Sequence, residues 1–210
     1  MQAVEAPTSG GLVHNSEIWL HRYTPKPGDT VVEVGAAAGS ETTGLARLVG
    51  PDGVVVAIEP HPDTFRLLWS ACLGFPNVRL VEAAIAENPG LLTLTDLPFS
   101  WSNHLTTGKG VQVAALTFDE ATVQLDRIDY LKMNIEGGEV EALLSAQQML
   151  GKTLNAVVSC HDFAGVPTKE KTREILTEAG FDVCGHLDPF VIDDSFSGAV
   201  ISDYLYASRP

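Results

Sequence analysis

Two glycines lie where a predicted strand turns into a helix. The apolar run Thr30–Val34 is followed by Gly35 and Gly39, and a helical pattern begins directly afterwards. A strand, a glycine-rich turn and a helix start expose backbone N–H groups where a cofactor can approach closely. The turn is one glycine short of the dinucleotide fingerprint GxGxxG, so taken alone it is equally typical of tight packing.

Two carboxylates near this turn indicate which cofactor it would bind. Glu59 ends the second predicted strand, 24 residues after Gly35, where a carboxylate can accept hydrogen bonds from both hydroxyls of a ribose. Glu33 lies at the mouth of the turn, where its charge would oppose a pyrophosphate but suit an ammonium group. S-adenosylmethionine carries an amine, a sulfonium and a ribose, so the pattern favours it over NAD. The alternatives are a Glu33 satisfied by backbone N–H groups and an exposed Glu59.

A second polar cluster follows the fourth predicted core strand. Asn134 and Glu136 come where this strand turns into a helix, next to Gly137 and Gly138. Ligands of an open parallel sheet bind beyond the carboxyl ends of its strands, near the switch in strand order. We therefore expect the first and fourth strands to flank a crevice that Asn134 and Glu136 line. Glu139, at the helix start, is expected to face solvent.

Histidines could supply a base. His161 follows the fifth core strand, and the ordinary histidine pKa of about 6.5 suits proton removal near neutral pH. We expect Glu136 and His161 to bracket the acceptor, with one of them taking its proton. The alternative is that His161 only bonds a neighbouring loop. His104 is a second candidate, on a loop that could cover the pocket. Three residues of the N-terminal segment could cap the site: His14, His21 and Tyr23.

Alternating strands and helices must position these residues. β-Branched apolar runs alternate with helical patterns, which is typical of a parallel sheet flanked by helices. Ser40 is expected to cap the first helix, and Gly138 to begin another that reaches about Leu150. Residues 1–28 are predicted to form a helical cap segment and residues 29–210 a single cofactor-binding domain. The predicted strands are 30–34, 54–58, 78–81, 91–95, 111–116, 130–135, 156–160, 181–187 and 204–208.

The composition argues against several classes of partner. The chain has 27 acidic and 13 basic residues, a net charge of −14 with histidines neutral. A field of this sign repels phosphate backbones, so neither a nucleic acid nor an anionic membrane is expected as a partner. We find no secretory signal and no apolar run near the ~18–20 residues of a membrane helix. The odd number and wide spacing of the cysteines predict a reduced, cytoplasmic chain.

Four segments resemble the FkbM-type S-adenosylmethionine-dependent methyltransferases. They are VVEVGAAAGSETTGLA, AIEPHP, LTFDEA and IDYLKMNIEGGEVEALLSA. The resemblance implies an α/β, Rossmann-like class I methyltransferase sandwich: a mostly parallel seven-stranded sheet with helices on both faces and an antiparallel C-terminal strand. It also implies methyl transfer, usually to an oxygen and sometimes to a nitrogen.

By position, the resemblance assigns the cofactor contacts. The first glycine turn would line the methionine moiety, with Glu33 by the amine and Glu59 by the ribose, and residues 83–85 beside the adenine. The family commonly has Asp where this chain has Asn134, and an amide is a poorer metal ligand, so a divalent metal is not expected. The predicted cofactor site is Glu33, Gly35, Ala37, Gly39, Ser40, Glu59, Pro60, Ala83, Ala84, Ile85 and Asn134. The predicted catalytic residues are Glu136, His161, Asn134 and His104.

We therefore expect an S-adenosylmethionine-dependent methyltransferase that methylates an oxygen of a small-molecule or peptidic acceptor. One alternative is an N-methyltransferase of the same fold. A second is a NAD(P)-dependent oxidoreductase on a similar sheet. The third is an inactive cofactor-binding module that works through protein contacts.

Overall fold

The computed structural model describes residues 18–97, 103–161, 168–185 and 203–209. Within these ranges the strands are β1 (Thr30–Val34), β2 (Val54–Ile58), β3 (Val78–Val81), β4 (Ala84–Ile85), β5 (Gly90–Leu94), β6 (Val111–Leu116), β7 (Ile128–Met133), β8 (Thr153–Cys160), β9 (Asp182–Gly185) and β10 (Asp203–Ser208). The helices are α1 (Ser40–Val49), α2 (Pro62–Cys72), α3 (Phe118–Ala121), α4 (Glu139–Leu144) and α5 (Thr168–Glu178).

Seven of the strands form one sheet, in the order β3-β2-β1-β7-β8-β10-β9. The first five strands in this order, β3, β2, β1, β7 and β8, run parallel. β10 pairs antiparallel with both β8 and β9. The predicted fold class is confirmed, including the antiparallel C-terminal strand. The strand order switches direction between β1 and β7, so the carboxyl ends of these two strands flank a crevice.

Alternation along the strands buries both faces of this sheet. On one face, Val31 and Val157 pack in a cluster with Leu45 and Val49 of α1. On the other face the core includes Val32, Val158 and residues of α4 and α5. Central strands covered on both faces are expected to be apolar throughout, which explains the continuous β-branched runs in the sequence.

A charged pair interrupts this apolar pattern at the centre of the sheet. Glu33 of β1 and Lys132 of β7 are direct neighbours in the strand register. The Lys132 ammonium lies 2.7 Å from the Glu33 carboxylate, and both side chains are almost fully buried. Thr42 of α1 donates a further hydrogen bond of 2.6 Å to this carboxylate, and the Lys132 ammonium lies 4.6 Å from the centre of the Trp19 ring. Burial alone would lower the pKa of Lys132, but the Glu33 carboxylate raises it above its ordinary value.

A separate small sheet was not predicted. It has the order β4-β6-β5 and is extended by an isolated bridge between Leu94 and Leu105. The predicted bounds of β5 and β6 lie within one residue of the observed ones. β4 was not predicted, because a strand of two residues shows no alternation that a pattern could detect.

Two helix predictions require correction. The N-cap of α1 is Gly39, in a left-handed conformation, and not Ser40, whose hydroxyl bonds the neighbouring Glu41. The helix expected to reach Leu150 ends at Leu144. The Ser145 hydroxyl there donates to the Ala142 carbonyl, and such local side-chain bonds compete with the helical backbone ladder.

Loss of the Lys132 ammonium is expected to be strongly destabilising. Lys132→Met leaves the buried Glu33 carboxylate without its counter-charge and should lower the free energy of unfolding by about 3–5 kcal/mol. Lys171→Met is the control, because Lys171 is 54% exposed in its pair with Glu174, and exposed ion pairs contribute little to the free energy of unfolding. Urea unfolding followed by circular dichroism measures both. Equal losses would contradict the importance of the buried pair.

Candidate functional site

A cavity opens at the carboxyl ends of β1, β2 and β7, and the space in it, counted out to the open solvent, is about 720 Å³. Predicted residues in its lining are Gly35, Ala37, Glu59, Pro60, Ala83, Ala84, Ile85, Asn134 and Glu136. The remaining lining residues are Val34, Ile58, Leu94, Asn103, Leu105, Ile135 and Gly138.

The glycine turn approaches the neighbouring strand too closely for any other residue at Gly35. Its φ is +81°, and a Cβ at this position would lie 1.9 Å from the Asn134 carbonyl oxygen. At the other end of the turn, Gly39 packs against Leu68 of α2. Gly39 and Ser40 are not part of the cavity lining, so in this structure Gly39 serves the packing of the helix start.

Glu59 is held in place by the backbone of two loops. Its two carboxylate oxygens accept hydrogen bonds of 3.0 Å from the backbone N–H groups of Ala37 and His61. Burial raises the pKa of Glu59 above its ordinary value, although both hydrogen bonds act in the opposite direction. The carboxylate lies at the cavity wall with lone pairs to spare, which suits it to accept hydrogen bonds from a ribose diol.

Glu33 does not lie at the mouth of the glycine turn. Its side chain is fully buried and is not among the residues that line the cavity. Lys132 and Thr42 occupy its carboxylate oxygens. Successive side chains of a strand point to opposite faces of the sheet. The Glu33 side chain points to the face that α1 covers and not out of the glycine turn. Its expected position at the mouth of the turn is therefore corrected.

Asn134 and Glu136 both reach the cavity, as their position after β7 predicts. The Oδ1 atom of Asn134 is buried and has no hydrogen-bond partner within the described ranges. An acceptor left in this state fits a ligand that brings an N–H or O–H donor. Glu136 has a φ of +52°, which is uncommon for a residue with a side chain. Burial raises its pKa, although the nearby His161 acts to lower it.

His161 lies between two carboxylates. Its Nδ1 is 2.7 Å from Glu139 Oε1, and its Nε2 is 3.5 Å from Glu136 Oε1. Burial alone would lower the pKa of His161, but the Glu139 hydrogen bond and both acidic charges raise it above its ordinary value. The expectation that Glu139 faces solvent is wrong, because its side chain is fully buried against this imidazole.

The other predicted residues, His104, His21 and Tyr23, lie at different places in the fold. His104 lies on the loop beside β5, where its backbone N–H bonds Thr95 Oγ1, and its charge acts to lower the pKa of Glu136. The Tyr23 hydroxyl donates to Asp29, just before β1 and at the opposite edge of the sheet from the cavity. Tyr23 therefore does not cap the cavity, and His21 contacts the Tyr206 ring. His14 lies outside the described residues.

Several lining residues were missed. Leu94, Leu105 and Asn103 come from the small sheet and its loop, and no local pattern in the sequence indicates that this unit folds over the crevice.

Within the described ranges, no three His, Cys, Asp or Glu side chains are grouped to hold a metal ion. No helix in the same ranges is long and apolar enough to cross a membrane.

Comparison with solved structures defines the class of this fold. Fibrillarin of Aeropyrum pernix, solved with natively bound S-adenosylmethionine, has a TM-score of 0.56 and 16% identity, over 89% of this chain and 69% of its own. An S-adenosylmethionine-dependent O-methyltransferase of Thermotoga maritima has a TM-score of 0.53 and 15% identity, over 100% of this chain and 67% of its own. The fold is that of class I S-adenosylmethionine-dependent methyltransferases.

The family follows from the sequence comparison. Residues 33–183 match the methyltransferase FkbM domain, so the chain belongs to the FkbM methyltransferase family, and its cofactor is S-adenosylmethionine. A protein-L-isoaspartate O-methyltransferase of Methanopyrus kandleri is 37% identical over 62 residues, which are 30% of this chain. The match spans 25% of that enzyme's length.

Glu59 gives a direct test of the cofactor site. Glu59→Gln keeps the size of the side chain but removes its charge and one of its two acceptor oxygens. The variant is expected to bind S-adenosylhomocysteine about 10- to 100-fold more weakly, in the range of a lost hydrogen bond to a charged group. Isothermal titration calorimetry measures the affinity, and Glu120→Gln, in an exposed capping contact of α3, is the control. Unchanged affinity in Glu59→Gln would contradict the ribose contact.

Proposed function

We propose that this protein transfers a methyl group to an oxygen of a small-molecule or peptidic acceptor, with His161 as the base. The observation that supports this most directly is the contact of His161 with Glu139 on one ring nitrogen and with the cavity-lining Glu136 on the other. S-adenosylmethionine supplies an electrophilic methyl group on its sulfonium. The chain's own residues must then position the acceptor and remove its proton.

Glu139 fits the role of a positioning residue for His161. A buried carboxylate on Nδ1 favours the tautomer with the proton on that nitrogen, so Nε2, which has Ser159 Oγ 3.4 Å away, carries the lone pair that can accept a proton. The 2.7 Å contact is short enough for a charge-assisted hydrogen bond that stabilises the imidazolium after proton transfer. Glu139 Oε1 also accepts from the Gly137 backbone N–H at 3.2 Å, which ties the imidazole to the loop after β7.

Glu136 and Asn134 face the space where an acceptor would lie. The Glu136 side chain is 22% exposed and its Oε1 lies 3.5 Å from His161 Nε2, so a hydroxyl that lies beside the two groups could donate to either. Asn134 Oδ1 is a buried acceptor atom that a bound ligand can satisfy. We propose Glu136 and Asn134 as binding residues for the reacting end of the site, with His104 on the loop above them.

The proposed acceptor class follows from charge. With a net charge of −14, the protein repels polyanions, which favours small molecules and peptides over nucleic acids. We also propose a reducing, cytoplasmic location, which is supported by the odd number and wide spacing of Cys72, Cys160 and Cys184 in the sequence. Residues 1–28 are proposed as the helical cap segment of the domain, and in its described part the Ile18 carbonyl accepts a hydrogen bond of 3.0 Å from the Tyr206 hydroxyl.

Labelling identifies the acceptor and tests the function. Purified protein and methyl-labelled S-adenosylmethionine are incubated separately with small-molecule, peptide and RNA fractions of a cell extract. Label is expected in a small-molecule or peptide product, and mass spectrometry should place the methyl group on oxygen. His161→Ala is expected to lower kcat by about 10²- to 10⁴-fold while its affinity for S-adenosylhomocysteine is kept. Label on RNA or on nitrogen, or full turnover by the variant, would contradict the proposal.

The pH profile distinguishes a base from a merely structural histidine. His161 must be neutral to accept a proton, so kcat/KM should rise with pH through its pKa, which lies above the ordinary 6.5. Glu139→Gln removes the largest contribution that raises this pKa, so the rise should move to lower pH and the plateau rate should fall. Glu174→Gln, an exposed change on α5, should leave the profile unmoved. A profile that Glu139→Gln does not shift would argue against the pairing.

A further inference from the structure

A buried amide donor in the cavity wall lacks an acceptor in the described part of the chain. It is the Nδ2 atom of Asn103, which is shielded from solvent and belongs to a residue that lines the cavity. Buried N–H groups are nearly always paired in native structures, so a donor left free at a ligand cavity points to the ligand as its partner.

The loop around Asn103 fixes which end of the amide is free. The Leu97 backbone N–H donates to Asn103 Oδ1 at 2.9 Å, and Thr95 Oγ1 lies 3.2 Å from the same oxygen. A backbone N–H needs an acceptor, so the oxygen must face Leu97 and the NH₂ group must face away from it. The side chain is therefore oriented before any ligand arrives.

Asn103 lies at the nucleoside end of the cavity. Asp96, on the loop that Asn103 holds, is 3.4 Å from His61 Nε2, and the His61 backbone N–H bonds Glu59. Leu105, two residues after Asn103, packs in one apolar cluster with Ala84. The surroundings of the amide are thus the proposed ribose contact on one side and an apolar wall on the other.

We propose that Asn103 is a specificity-determining residue that donates a hydrogen bond from Nδ2 to a ring nitrogen of the cofactor's adenine. Adenine has flat apolar faces for the aliphatic wall and ring nitrogens that accept hydrogen bonds in its plane. The competing partner is the methyl acceptor, because the next residue, His104, acts on Glu136 at the other end of the cavity; equal binding of cofactor analogues that lack one ring nitrogen would favour that partner. The inference rests on the cofactor of the family and not on the proposed acceptor.

The experiment compares S-adenosylhomocysteine with its 1-deaza, 3-deaza and 7-deaza analogues, each of which replaces one ring nitrogen by C–H. Calorimetry gives the dissociation constant of each for the wild-type protein and for Asn103→Asp. The aspartate keeps an oxygen for Leu97 and Thr95 but loses the donor. Thr95→Val is the matched control, since it removes one hydrogen bond to Asn103 Oδ1 but keeps the Leu97 bond to that oxygen and the NH₂ donor.

The wild-type protein is expected to bind one of the three analogues about 5- to 150-fold more weakly than the parent compound, the range for a buried donor left unpaired. Asn103→Asp should bind the parent more weakly and lose this discrimination, whereas Thr95→Val should keep it. Equal binding of all four compounds by the wild type would overturn the inference, and this arm needs no variant to fold. Discrimination retained in Asn103→Asp would overturn it as well. Failure of the parent compound to bind would instead contradict the cofactor site itself.

Discussion

The buried pair of Glu33 and Lys132 is the constraint on which the centre of the molecule depends. The two residues face each other across β1 and β7, the strands between which the sheet changes direction. A charge taken out of water is tolerated only when it is paired and hydrogen-bonded, so each residue requires the other to stay in place. The pair thereby ties the two strand ends that form the cavity floor. Because the pair holds Glu33 below the cavity and out of its lining, the acidic side chains of the lining are Glu59 and Glu136.

Much of the fold could be predicted from the sequence because the decisive signals are local. The bounds of β1, β2 and β3 match the prediction at every residue, since each is an apolar run ended by a turn. The small sheet could not be predicted as a unit. The pairing of β4 with β6 is set by contacts across the chain and not by any pattern within two residues.

Some residues of the candidate site could likewise be predicted from the sequence, and others could not. Glu59, Asn134 and Glu136 follow directly from their places at strand ends, where a parallel sheet brings side chains together. Glu33 and Glu139 were misplaced because their partners are distant in sequence: Lys132 is 99 residues from Glu33, and His161 is 22 residues from Glu139. When the partner of a carboxylate is unknown, the carboxylate is expected to face solvent or a ligand. Only the folded chain shows the cation or imidazole that allows its burial.

The left-handed backbone at Glu136 limits which residues can replace it. A φ of +52° is tolerated best by glycine, asparagine and aspartate, and least by β-branched side chains. Any descendant of this protein that altered its acceptor by changing this position would therefore draw on a short repertoire of residues. Selection for new chemistry would act more freely on lining positions outside the left-handed region, such as Leu94 and Leu105.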